Sequence, residues 1–262
     1  MKKYLFIAKS AFKEQFQYIG NLTGGFFVYG IIVFVFLQLW LYIYGNKAEL
    51  FGYSLNQLIW YVIVTEIVLF TFRTSVVTSE IASDVKSGKI AYILNKPYKY
   101  IMYIMSKHYG TMLVFFISYV VLGIAIGATF VGALETFNFV SIPFLILTLF
   151  CSSVIMALMY ILIGLSSFWV EENAPFRWLL SKLLVVLGVT FPIEFMPDWI
   201  KGFAKTSPVY PVTYGPAKML VDFSIVEFVD VFMMQILYIV VLSIFVTLVY
   251  IKGVRRLNVN GG

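Results

Sequence analysis

The chain is 262 residues long, 61% hydrophobic, 19% aromatic and only 12% charged, against about 25% charged residues in an ordinary soluble domain. That composition excludes a soluble fold and marks an integral membrane protein. The net charge of +6 sits as Lys and Arg in short segments beside apolar runs, which is how membrane topology is written and not how nucleic acid is bound.

Cysteine is equally restrictive, because Cys151 stands alone inside an apolar run and allows neither an internal disulfide nor a Cys/His metal site. No compact apolar core with a small-residue cleavage site occurs in the first 25 residues, so no signal peptide is expected. Residues 1–20 place Leu5, Ala8, Phe12, Phe16 and Ile19 on one helical face, with Lys2, Lys9 and Lys13 elsewhere around it. This pattern predicts an amphipathic helix lying in the interface against membrane lipid.

Six apolar runs follow, at 26–44, 57–78, 109–133, 142–169, 176–195 and 228–252, each near the ~20 residues a helix needs to cross ~30 Å of hydrocarbon. They are continuously apolar, so helices are predicted and a barrel is not. Lys2, Lys3, Lys9 and Lys13 precede the first run, Lys86, Lys89, Lys96, Lys99 and Lys107 lie in the second loop, and Lys252, Arg255 and Arg256 follow the last. Counting these places both termini and the 79–107 loop in the cytosol of a multi-pass cell-membrane protein. The 196–227 loop is then external, although its Lys201, Lys205 and Lys218 run mildly against the rule.

That external loop holds Pro197, Pro208, Pro211 and Pro216, and with Pro192 just before it takes five of the chain's eight prolines. Proline breaks helices, and the short apolar strip Trp199, Ile200 and Phe203 between the breaks suggests a re-entrant helix before span six. An ordinary external loop has the same composition.

Chemistry is sparse. No GxxxxGK[ST] occurs, so the chain is no P-loop ATPase, and no HExxH surrounds the single histidine, His108. An intramembrane serine hydrolase lacks a positioned base. We therefore expect no enzyme, metal or cofactor in this chain. Ionisable residues inside the runs include Glu66 and Arg73 in the second and Lys182 and Glu194 in the fifth, and such groups face a bundle interior, a cavity or a partner. Arg73 and Lys182 have the stems to snorkel. Glu66 lies ~18 Å from the cytosolic end of its helix and two turns from Arg73, on a face expected to line a subunit interface or translocation path.

The 79–107 loop is too long and too patterned for a connector. Ser79 is predicted to cap a short helix with Glu80 and Asp84 in its first turns, Gly88 to end it, and Tyr98, Ile101, Met102 and Met105 to form a ramp into the third span.

Asp84-Val85-Lys86-Ser87-Gly88-Lys89-Ile90 with Leu94-Asn95-Lys96-Pro97 is similar to the coupling region of ABC-2-type exporter permeases, the membrane subunits of bacterial ABC exporters. Phe191-Pro192, Met196-Pro197 and Pro208-Val209-Tyr210-Pro211 resemble that family's external re-entrant segment, and Gly253-Val254-Arg255-Arg256-Leu257 through Gly261-Gly262 its tail. Charge inside the spans is the departure. The resemblance implies one all-α unit over 1–262 that pairs with a second permease subunit, alike or different. It also implies a cytosolic ATPase, holding ATP and Mg, docked through Glu80, Asp84, Val85, Lys86, Ser87 and Gly88. The implied cargo is amphiphilic, whether drug, peptide or lipid-like. Two other readings stand beside it: an ion-coupled secondary transporter or channel using Glu66 and Arg73, and a membrane scaffold. Secondary transporters commonly show two related halves, and none is detectable here.

Overall fold

The computed structural model describes residues 2–72, 74–190 and 192–260. Arg73, Phe191, Gly261 and Gly262, each part of an expectation above, lie outside them. In chain order the helices are α1 (Lys2–Gln15), α2 (Ile19–Tyr44), α3 (Leu55–Thr71), α4 (Thr74–Lys86), α5 (Lys89–Leu94), α6 (Tyr100–Phe130), α7 (Ile142–Leu165), α8 (Ala174–Leu184), α9 (Asp198–Thr206), α10 (Gly215–Val221) and α11 (Ile225–Asn260). A hairpin of β1 (Glu49–Leu50) and β2 (Tyr53–Ser54) turns at Phe51 and Gly52, both with positive φ.

Among the described residues, five helical stretches are long and apolar enough to cross a membrane: Thr23–Tyr44, Leu55–Lys86, Tyr100–Phe130, Phe139–Phe168 and Ile225–Arg256. The expected six-span count is therefore shown only as five. The 176–195 run forms the 11-residue α8 and a π turn at Val185–Val189, and its helix ends before Pro192, where the missing N–H stops the backbone ladder. The apolar count runs on through that break.

The 79–107 segment is mostly helix. α4 extends to Lys86, and α6 begins at Tyr100, nine residues before the apolar run. Helical hydrogen bonding does not stop where polarity begins. Ser79 is thus inside α4 and not its cap; the side-chain cap in this region is Ser54 on α3, which forms a capping box with Gln57. The 196–227 region holds α9, which includes Trp199, Ile200 and Phe203, then a π turn at Tyr210–Tyr214 and α10, and the stretch from Val209 to Val221 is almost wholly buried against α3, α7 and α11.

The centre of the bundle is α3, whose Leu58, Tyr61, Val62 and Ile63 are fully enclosed. It packs on α2, α6 and α10, while α7 packs on α4, α10 and α11. Glycine makes two of these approaches possible. A Cβ on Gly164 of α7 would press on Ile81 of α4, and one on Gly110 of α6 would land on the Ala8 carbonyl of α1. The second contact changes the reading of α1. Tyr4, Ile7, Ala8 and Ala11 turn inward while Leu5 and Phe16 of the predicted stripe are exposed, so α1 is docked on α6 and does not merely float in the interface.

Candidate functional site

At the end of the bundle that carries the lysines, α4 leads through Ser87 and Gly88 into α5 and then to the start of α6. Gly88, at φ +70°, makes the left-handed turn that ends α4. Ile90 and Ile93 of α5 then bury in a cluster with Ile81 of α4, Tyr100 and Ile104 of α6, Leu158, Ile161 and Leu165 of α7, and Val246 of α11. The hairpin is therefore packed on three of the long helices and is not a free loop.

Its carboxylates face inward. Asp84 is 2% exposed; it accepts a hydrogen bond from the Tyr100 hydroxyl at 3.0 Å and pairs with the Lys89 ammonium at 3.1 Å. That carboxylate holds the Lys89 ammonium above its ordinary pKa. Glu80 pairs with Lys107 at 2.7 Å. Val85 is half-buried, while Lys86, Ser87 and Gly88 are exposed at the tip. The N-terminal helix reaches the same place: the Lys3 ammonium donates to the Pro97 carbonyl, and the Lys99 backbone N–H donates to the Tyr4 hydroxyl at 3.0 Å.

Of the ionisable residues expected in the spans, the three that are described, Glu66, Lys182 and Glu194, have separate surroundings. Glu66 is buried at 4% exposure in α3, one turn after Ile63, whose carbonyl accepts from Tyr29 of α2 at 3.3 Å. Lys182 sits on the exposed face of α8 with its ammonium 5.7 Å from the Trp178 ring centre. Glu194 is at the opposite end of the bundle, where it accepts from the Tyr214 hydroxyl at 2.6 Å and lies 3.7 Å from Lys218. Lys218, buried, also meets Asp222 at 2.6 Å and the Tyr53 hydroxyl at 3.1 Å. This network ties the β-hairpin, the 193–195 turn and α10 together.

Two residues escape the sequence reading. Tyr100 falls in the segment leading into the third span, and nothing in its spacing points to Asp84. Gln235, the one amide in the last apolar run, donates to the Thr148 carbonyl of α7 at 2.9 Å and to the Pro211 carbonyl at 2.8 Å. It thereby satisfies a carbonyl of the π turn inside the bundle, and a lone amide in an apolar helix is the available signal. Two apolar cavities of about 390 and 280 Å³ lie between α3, α6 and α7 and share Phe116 and Leu149 as walls.

A family model described as ABC-2 family transporter protein matches residues 26–261. No curated protein matches the chain.

Proposed function

Because this chain belongs to the ABC-2 family of transporter proteins, we propose that it is the permease subunit of an ATP-binding cassette exporter. It pairs with a second permease, alike or different, and takes its energy from a cytosolic ATPase subunit that binds ATP and Mg. The cargo is amphiphilic, in keeping with the apolar cavities beside α3. In this reading α8 and its π turn make the sixth, short crossing, α1 lies at the interface, the Val209–Val221 region is the external re-entrant segment, and both termini are cytosolic.

One observation carries the proposal: side chains of the α4–α5 hairpin at the lysine-rich end share one buried cluster with side chains of α6, α7 and α11. A push on α5 is delivered to three long helices, which is what a subunit without its own P-loop requires.

Co-purification tests the reading. The detergent-extracted protein, expressed with its neighbouring genes, is expected to retain an ABC ATPase in about equal amount, with ATP hydrolysis that ceases when the ATPase is washed off. Extraction that brings down no ATP-binding subunit would remove the energy source and the proposal with it.

A further inference from the structure

Resting on that reading of the hairpin, we infer that the ATPase surface it fits is an acidic groove with an apolar socket, gripped by Lys86, Lys96, Lys99 and Tyr92 and not by Glu80 or Asp84. The segment from Ser79 to Lys107 holds five lysines and two acids. Both acids are consumed internally, Asp84 by Lys89 and Tyr100 and Glu80 by Lys107. What is left is cationic: among the described residues Lys86, Lys96 and Lys99 make no ion pair. Between them Tyr92 stands 66% exposed, with the Lys96 ammonium 4.5 Å from its ring centre.

The same sign extends sideways. A polar cavity of about 500 Å³ between α4 and α8 is walled by Ser83, Lys86, Ser87, Glu172 and Arg177. Its one carboxylate, Glu172, accepts from the Ala174 backbone N–H at 3.1 Å, and its walls hold two cations, Lys86 and Arg177. A partner that complements this surface carries carboxylates around an apolar pocket for the tyrosine, since aromatic anchors ringed by complementary charge are how such contacts gain specificity.

Anionic lipid headgroups would also attract lysines, but length places the tip beyond them. α6 is 31 residues, or ~46 Å at 1.5 Å per residue. A bilayer with its headgroups is about 40–45 Å thick, and a usual tilt of about 20° shortens a helix by under a tenth. α6 runs from this end to Phe130 at the opposite end and by itself uses up that thickness, so α5, which precedes its first turn, lies on the aqueous side of the headgroup layer, where a protein surface is the available anion.

The test compares ATPase retention in nanodiscs of neutral lipid and in discs containing anionic lipid. The triple variant Lys86→Glu/Lys96→Glu/Lys99→Glu is expected to lose on the order of tenfold in retained ATPase in both discs, and Lys86→Gln/Lys96→Gln/Lys99→Gln to lose less in the same direction. Wild-type retention should fall as salt is raised, while Glu80→Gln keeps its ATPase. These side chains lie at the surface, and an unchanged melting temperature would confirm that each variant is folded. Wild-type retention that ignores both salt and charge reversal would overturn the inference while leaving the proposed function standing. An effect confined to anionic discs would assign the lysines to lipid and also overturn it. Failure of the wild-type protein to retain any ATPase would sink the proposed function first.

Discussion

Gly110→Val is expected to lift α1 off α6. The added Cβ meets the backbone carbonyl of Ala8 and not the flexible end of a side chain, so relief requires moving a helix. Overpacking of this kind typically costs about 1–3 kcal/mol, and a backbone obstacle belongs at the upper end of that range. Gly110→Ala should show the same defect in weaker form. Trypsin reports it directly, because Lys2, Lys9 and Lys13 are exposed cleavage points on α1 that a docked helix protects. Since α1 also holds the Pro97–Lys99 turn through Lys3 and Tyr4, its release should loosen the start of α6. Transport per ATP is then expected to fall while the ATPase stays bound. Wild-type protease resistance and melting in the valine variant would show that α1 docks by some other contact.

Period and composition carry most of the fold. Continuous apolar runs need no partner to be recognised, and the positions of Gly88 and the prolines foretell where helices turn. The departures share one reason: hydropathy measures solvent preference, whereas helices end where hydrogen bonds end. Tyr100 to Tyr109 are helical although a lysine and the histidine lie among them, so hydropathy starts the third span late. The 176–195 run is apolar through most of its end but loses its ladder before Pro192, so hydropathy draws a span across a break. The site suffers from a different gap. Glu80 and Asp84 are legible as a charged pair on a patterned segment, but Lys107 and Tyr100, which hold them, come from α6, 27 residues on from Glu80 and 16 from Asp84. No local periodicity encodes such a pairing. Hence the acids look available for docking, and only their burial reveals that the lysines are what the surface offers.

That assignment makes Asp84 a structural staple whose loss has a distinctive energetic order. Asp84→Ala removes the acceptor of Tyr100, whose side chain is 1% exposed, and an unsatisfied buried hydroxyl costs about 1–3 kcal/mol. It also frees Lys89 and with it the first turn of α5. Tyr100→Phe leaves Asp84 paired with Lys89 and should cost less than Asp84→Ala. Lys89→Ala should cost least, because that lysine side chain is 60% exposed and such pairs contribute about 0–1 kcal/mol. The double variant Asp84→Ala/Tyr100→Phe should be more stable than the two losses added together, since the phenyl ring deletes the hydroxyl that alanine strands. Thermal unfolding of the purified protein reads this series. In the complex, Asp84→Ala is expected to keep its ATPase yet move less cargo per ATP, because the lysines still bind while α5 no longer transmits the push through α6. The opposite pattern, an unchanged melting point with the ATPase lost, would mean that the Asp84 carboxylate turns outward in the complex and is itself part of the grip.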